Sequence, residues 1–328
     1  MFDFIGRKRI WFTLSLAIIV VGMFFWATRG LNVGIDFRGG NIFDLEFDKP
    51  ATTSQVTAVL AQNGLGDSSV QIIGTEGREF LIRSAHVSDE ARQKLYADFR
   101  NALGEFKEIR FESVSPLVGR ELVMLAIWAT VIANIGMLIY ITLRFEYRFA
   151  VAGIIALIHD VLMTIAFFAI FRWTVDSSFI AAILTVVGYS INDTIVVYDR
   201  IREKLKVRAK GESIDELTNK AINETLRRSI LTSLTTVVAI AAVLVFGGAT
   251  IKPFALALVI GITSGTYSSI FIASPIWTIW RNWEERRNVL RKQKLLSERE
   301  AAKAAAKPAA KPATKSAGKA GKKAKAAR

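Results

Sequence analysis

The chain has no cysteine among its 328 residues. That excludes disulfides, thiolate nucleophiles and cysteine-based metal sites. Histidine is almost as scarce: His86 and His159 are the only two, and a histidine metal site has no support. The phosphate-cradling P-loop pattern is missing, and so are the nucleophile elbow and the zinc-protease helix motif. Nothing in the sequence points to hydrolysis, nucleotide use or a bound cofactor. A protein of this composition that does work must draw its energy from an ion gradient or from a partner.

What is present is apolar. Hydrophobic residues make up 52% of the chain, more than an ordinary soluble domain carries, and they gather in long runs. A bilayer span needs ~20 apolar residues. Six stretches qualify: Ile10–Thr28, Leu122–Leu143, Phe149–Phe171, Ser178–Tyr198, Ile230–Phe246 and Phe254–Trp280. The first follows the basic stretch "GRKR" (Gly6–Arg9) but is long for a signal-peptide core. It has bulky Phe24, Phe25 and Trp26 where a small-residue cleavage site belongs, so it reads as an uncleaved anchor.

Net charge is +14 and unevenly spread. Between Arg29 and Glu121 there are 11 Lys/Arg against 14 Asp/Glu, so the basic excess lies in the other loops and the tail. Lys and Arg in short loops mark the cytoplasmic side. They alternate with nearly neutral loops, which places both termini in the cytoplasm and residues 30–121 outside.

Residues 30–121 read as one small domain of order β-α-β-β-α-β, a split, ferredoxin-like sheet. "NIFDLEF" (Asn41–Phe47) alternates as a strand. Thr52 and Gln55 stand at capping-box spacing. "SVQIIG" and "EFLIR" flank a hairpin turn, and Ser88 to Gly104 bound a second helix. The fold class is therefore an α-helical polytopic membrane protein with six transmembrane helices and a small α+β external domain after the first. Its divisions are 1–29, 30–121, 122–280 with a basic loop at 200–228, and a basic tail at 281–328. From Ser297 the Ala/Lys/Pro composition predicts disorder.

Polar residues inside the spans carry the chemistry. An Asp at the bilayer centre costs ~2.5–3.5 kcal/mol on insertion scales. In the fourth span, helical spacing puts Thr185, Tyr189, Asn192, Asp193, Val196, Asp199 and Arg200 on one face, expected to look into the bundle. Asp199 is expected at the membrane edge, paired with Arg200. Asp193 lies roughly 10 Å deeper at 1.5 Å per residue. The chemistry alone divides evenly between a hydrogen-bonded structural Asp and a proton-carrying site, with Asn192 hydrogen-bonding beside it. Arg227 and Arg228 open the fifth span as snorkelling cations, and Arg228, the deeper, continues into the hydroxyl stripe Thr232 and Thr235. His159 and Asp160 sit halfway along the third span, as a packing lock or a proton relay. Gly261, Gly265 and Ser269 repeat every four residues in the sixth, a helix-packing signature.

Five motifs in order resemble the SecD/SecF family. "VGIDFRGG" (Val33–Gly40, with Gly34, Asp36, Gly39 and Gly40) is similar to the signature after that family's first span. "LRFEYRFAVAGIIALIHD" (Leu143–Asp160), "VGYSINDTIVVYDRIRE" (Val187–Glu203), "TLRRSILTSLTT" (Thr225–Thr236) and "FALALVIGITSGTYSSIFIASPI" (Phe254–Ile276) resemble its SecF branch. The resemblance implies half of an RND-type 12-helix bundle, paired with SecD and associated with the SecYEG translocon, a YidC-type insertase and preprotein substrates. It implies use of the proton motive force in export at the inner membrane, without covalent catalysis. Carried over, Asp193 and Arg228 are the proton-pathway pair, with Arg227 one residue from that assignment and Asp160 a further member. Two other readings stay open. One is a structural scaffold for the SecD-translocon complex. The other is half of an RND-type small-molecule exporter, which calls for a larger external domain. The basic tail lies outside the family pattern and suits anionic lipid or the ribosome.

Overall fold

The computed structural model describes residues 2–74, 76–248 and 251–305. The chain opens with helix α1 (Lys8–Arg29), which leads through strand β1 (Asn32–Val33) and a single helical turn, α2 (Ile35–Arg38), into the sheet domain. That domain runs β2 (Gly40–Phe47), α3 (Thr53–Gln62), β3 (Ser69–Ile73), β4 (Glu79–Ser84), α4 (Asp89–Leu103) and β5 (Phe106–Val114). Then follow α5 (Pro116–Arg144), α6 (Tyr147–Phe171), β6 (Thr174–Val175), α7 (Ser177–Lys206) and α8 (Ile214–Phe246). The last helix is continuous but changes pitch: α9 (Lys252–Ser268), one π-helical turn (Ser269–Ala273) and α10 (Ser274–Ala305).

In the sheet domain the order is β3-β4-β2-β5, antiparallel throughout, as the split arrangement requires. Local signals set the helices. Thr52 and Gln55 form a full capping box on α3. Ser88 caps α4 through the amide of Ala91 at 3.3 Å, and Gly104 ends it at φ 94°. Alternation along β2 turns Phe43, Leu45 and Phe47 toward the two helices, where they pack with Leu60, Phe80 and Phe99 out of reach of solvent. Burying each such side chain contributes roughly 1.5–3 kcal/mol.

The opposite face of the sheet carries charge. Asp44 is buried there, and burial pushes its carboxyl above the usual carboxylate range, with Arg110 partly offsetting this. Burial also pushes Glu79 up, aided by the charges of Asp44 and Glu46. A carboxyl raised in the folded state gives stability that is fully present below its unfolded pKa and lost as pH rises through the folded one. The domain is therefore expected to loosen as pH rises from the carboxylate range toward neutrality. Asp44→Asn is expected to flatten that loss and to stabilise the domain at pH 7. Amide exchange in β2 and β4 measured against pH would show it, and an unchanged slope in the variant would refute it.

Six helices are long and apolar enough to cross a membrane. In α6, α7 and α9 half or more of the apolar span is buried, whereas α1, α5 and α8 leave most of theirs uncovered. The three inner helices form the core of the bundle. Close approach of α7 and α9 depends on glycine: a Cβ at Gly261 would lie 2.2 Å from Val186 Cγ2, and one at Gly265 would lie 2.8 Å from Ser190 Cβ. Gly261→Val is expected to force the two helices apart at a cost of about 1–3 kcal/mol. A thermal-unfolding midpoint equal to the parent's would contradict this.

The basic segment 200–228 carries a helical pattern in sequence and is mostly helical, since α7 runs on to Lys206 and Ser213 caps α8 through a second capping box. Two features depart from the sequence reading. First, α10 runs past Ser297 to Ala305, because Ala, Lys and Glu are strong helix formers. The expectation of disorder for 306–328 lies outside the described residues. The second was not foreseen. The residues ahead of α1 fold back onto α8, where Asn219 Oδ1 accepts from the amides of Phe4 and Ile5 at 2.9 and 3.1 Å.

Candidate functional site

The polar centre of the bundle is built on α6. His159 and Asp160 are both buried, Asp160 at 1% exposure, which leaves its carboxyl no access to water. The Asp160 carboxylate instead accepts four hydrogen bonds. Oδ1 receives His159 Nδ1 at 3.0 Å and Ser264 Oγ at 2.9 Å. Oδ2 receives Ser190 Oγ at 2.6 Å and Ser268 Oγ at 2.7 Å. The donors come from α6, α7 and α9, so one carboxyl ties the three inner helices together. Burying a charge is tolerated when its lone pairs are filled in this way.

The network continues through hydroxyls. Thr194 Oγ1 donates to the Ser190 carbonyl at 3.1 Å and meets Ser269 Oγ at 2.8 Å. Ser269 starts the π turn, and Ser274 Oγ donates to its carbonyl at 2.8 Å. Such turns leave main-chain groups outside the helical ladder and often mark functional positions.

Asp193 lies on α7, one turn past Ser190. It is buried at 6% exposure, yet its Oδ2 has no hydrogen-bond partner among the described residues. Around the carboxyl stand Ser229 and the guanidinium of Arg228 on α8, and Thr266 on α9. Thr266 Oγ1 donates to Ser233 Oγ at 2.5 Å, and the Ser229 hydroxyl is itself buried and has no hydrogen-bond partner among the described residues. The two carboxyls thus differ. Asp160 is saturated; Asp193 is underfilled and faces a cation.

The remaining sequence-derived residues fall as follows. Arg227 and Arg228 are both exposed on α8, and Arg228 is the one whose charge acts on Asp193. Asn192 is exposed and points away from the centre, as do Thr185 and Asp199. Of the face expected to look into the bundle, Thr185, Asn192 and Asp199 are left uncovered by these six helices. The buried face of α7 centres on Val186, Ser190, Asp193 and Val197, because small and apolar residues there pack against α9. Arg200 pairs with Glu203 and Glu224 rather than Asp199. Ser269 bonds Thr194, beside the Gly261 and Gly265 contacts. Gly34, Asp36, Gly39 and Gly40 lie apart from the centre, at the join between sheet domain and bundle. Sequence reasoning missed Ser190, Ser264 and Ser268. The four-residue spacing of Ser264 and Ser268 is the one signal that pointed to them. Among the described residues no group of His, Cys, Asp and Glu is arranged to hold a metal ion.

A bundle of six apolar helices around buried, hydrogen-bonded carboxyls, with a small ferredoxin-like domain after the first helix, defines a polytopic membrane protein of the kind that carries charge groups inside its helices. Residues 94–283 match the family model "Protein export membrane protein SecD/SecF, C-terminal", and residues 24–51 match the "SecD/SecF GG Motif". The "Protein translocase subunit SecF" of Calditerrivibrio nitroreducens is 43% identical over 279 residues, covering 83% of this chain and 91% of that one. Its namesake in Acidaminococcus fermentans is 43% identical over 285 residues, covering 85% and 97%. Among solved structures, the crystal structure of SecDF, a translocon-associated membrane protein from Thermus thermophilus, superposes with a TM-score of 0.77 at 35% identity. That match covers 86% of this chain and 39% of the SecDF chain. A second SecDF structure, in a super-membrane-facing form, gives 0.67 at 34% identity. The chain belongs to the SecD/SecF family, on its SecF side, and spans about two fifths of the solved SecDF chain.

Proposed function

We propose that this chain is the SecF half of a proton-driven unit that assists protein export. It pairs with SecD, works beside SecYEG, and promotes movement or release of preproteins on the far side of the inner membrane. Both termini lie in the cytoplasm and the sheet domain outside. The observation that carries this reading is Asp193: a buried carboxyl with an empty acceptor oxygen, facing Arg228 across a set of hydroxyls. An apolar shell and a nearby cation pull a carboxyl's proton affinity in opposite directions, which suits a group that gains and loses a proton. The pairing with SecD is supported by the uncovered polar groups on the same side. Asn192, Arg228, Thr232 and Thr235 are exposed at membrane depth, where polar and charged groups face protein or water rather than lipid.

The proton reading assigns Asp193 and Arg228 as the pathway pair, with Asp160 the hub beside them. One observation favours the scaffold reading instead: Asp160 is so fully bonded that its evident effect is to lock three helices. The deciding experiment is proton uptake by the copurified complex with SecD in liposomes, comparing the parent with Asp193→Asn. The basic tail is assigned to anionic lipid or ribosomal contact, and a YidC-type insertase is a further partner on this reading.

A further inference from the structure

We infer that the segment Gly34–Gly40 is the mechanical link through which the sheet domain follows α7, and that Asp36 is a positioning residue within it. This rests on the proton-driven role proposed above. Asp36 Oδ2 accepts the backbone amide of Ser177, the first residue of α7, at 2.7 Å. Asp176 Oδ1 caps the same end through the amide of Phe179 at 3.0 Å. Two carboxylates thus hold the positive end of the α7 dipole, and one of them comes from 141 positions away. Just before Asp36, β1 pairs with β6 in parallel, and the Gly34 amide donates to the Val175 carbonyl at 2.8 Å. A Cβ at Gly34 would meet Thr174, Val175 and Asp176 at 3.3 Å, so this strand sits tight against the head of α7.

On its other side the segment enters the sheet without slack. Gly39 and Gly40 turn the chain at φ 74° and 143°. A Cβ at Gly40 would lie 2.4 Å from the Ser84 carbonyl of β4. Gly40 is already the first residue of β2, which is paired on both edges. The chain therefore passes from the head of α7 to an inner strand of the sheet within one short turn of helix. Asp193 lies on the same helix, about 25 Å from this head at 1.5 Å per residue. Displacement of α7 when Asp193 changes charge is delivered to β2 through Asp36 and Gly34. The join borders a cleft of about 200 Å³, lined by Gly34, Asp36 and Ser177, in which Arg83 of β4 faces Asp176. A Cβ at Gly119 of α5 would lie 2.7 Å from the Phe37 carbonyl, so the same segment is also held against α5.

The test uses the complex with SecD and the translocon in liposomes, measuring proton uptake and preprotein translocation in the same vesicles. Asp36→Ala removes the acceptor; Asp36→Asn keeps an oxygen in its place. Asp36→Ala is expected to assemble and take up protons within about twofold of the parent. Its translocation is expected to fall about tenfold, the scale of one charge-assisted cap. Asp36→Asn is expected to recover most of that loss. Parental translocation in Asp36→Ala would overturn the link. So would failure of that variant to assemble, or an equal fall in uptake and translocation that Asp36→Asn does not relieve. Absence of proton uptake in the parent itself would overturn the proton-driven role and the link together.

Discussion

Asp193→Asn is expected to abolish the proton-dependent stimulation of export while leaving assembly with SecD intact. The substitution keeps the shape of the side chain. The amide stands beside the same Ser229 and Thr266 hydroxyls, and no cavity is opened between α7, α8 and α9. What it removes is the ability to gain and lose a proton and the charge that answers Arg228. One charge crossing about 100 mV releases about 2.3 kcal/mol, enough to shift a two-state equilibrium about fiftyfold. Without a titrating carboxyl that energy has no entry point, and proton uptake by the complex should drop to the level of empty liposomes. Parental uptake and export in the variant would reject the proton role. Weakened recovery of SecD, together with export that ignores uncouplers, would favour the scaffold reading.

Asp160→Ala is expected to produce the largest loss of stability of any substitution considered. It strips the acceptor from His159, Ser190, Ser264 and Ser268 at once, at a position closed to solvent. Ser268 keeps a second acceptor, the Gly265 carbonyl at 3.1 Å, so the loss is not the sum of four bonds. A cost of about 3 kcal/mol is expected, the scale of breaking a buried charged network by removing one partner. Asp160→Asn should lose much less, since its oxygen still accepts and its amide group faces hydroxyls free to turn. Thermal unfolding of the detergent-solubilised protein distinguishes the two, and an Asp160→Ala midpoint equal to the parent's would show the hydroxyl cage to be unimportant.

These residues show which parts of the molecule are local. The six spans, the capping boxes at Thr52 and Ser213 and the hairpin follow from neighbours within a few positions. Asp193 is legible too, because a carboxylate in an apolar helix stands out wherever the helix goes. The split between Asp193 and Asp160 is not legible. Both read as costly carboxyls, and only the packing reveals that one is filled and the other is not. The exposure of Asn192 among these six helices is likewise not legible. Its spacing puts it beside Asp193, and a turn of about 100° per residue carries it out of the contact with α9.

The sequence by itself determined that this chain spans a membrane six times, that it carries a ferredoxin-like domain after its first span, and that Asp193 needs a reason to be where it is. Only the tertiary structure decided that Asp160 gathers hydroxyls from α7 and α9, that Asp36 caps a helix 141 residues away, and that the chain's first residues close onto α8. The physical reason is the range of the forces. Periodicity, capping and hydrophobic length act between near neighbours and are written in the order of residues. The partner of a buried polar atom is set by which helices approach closely enough, and that is fixed by the whole pattern of small residues, at Gly261 and Gly265 above all.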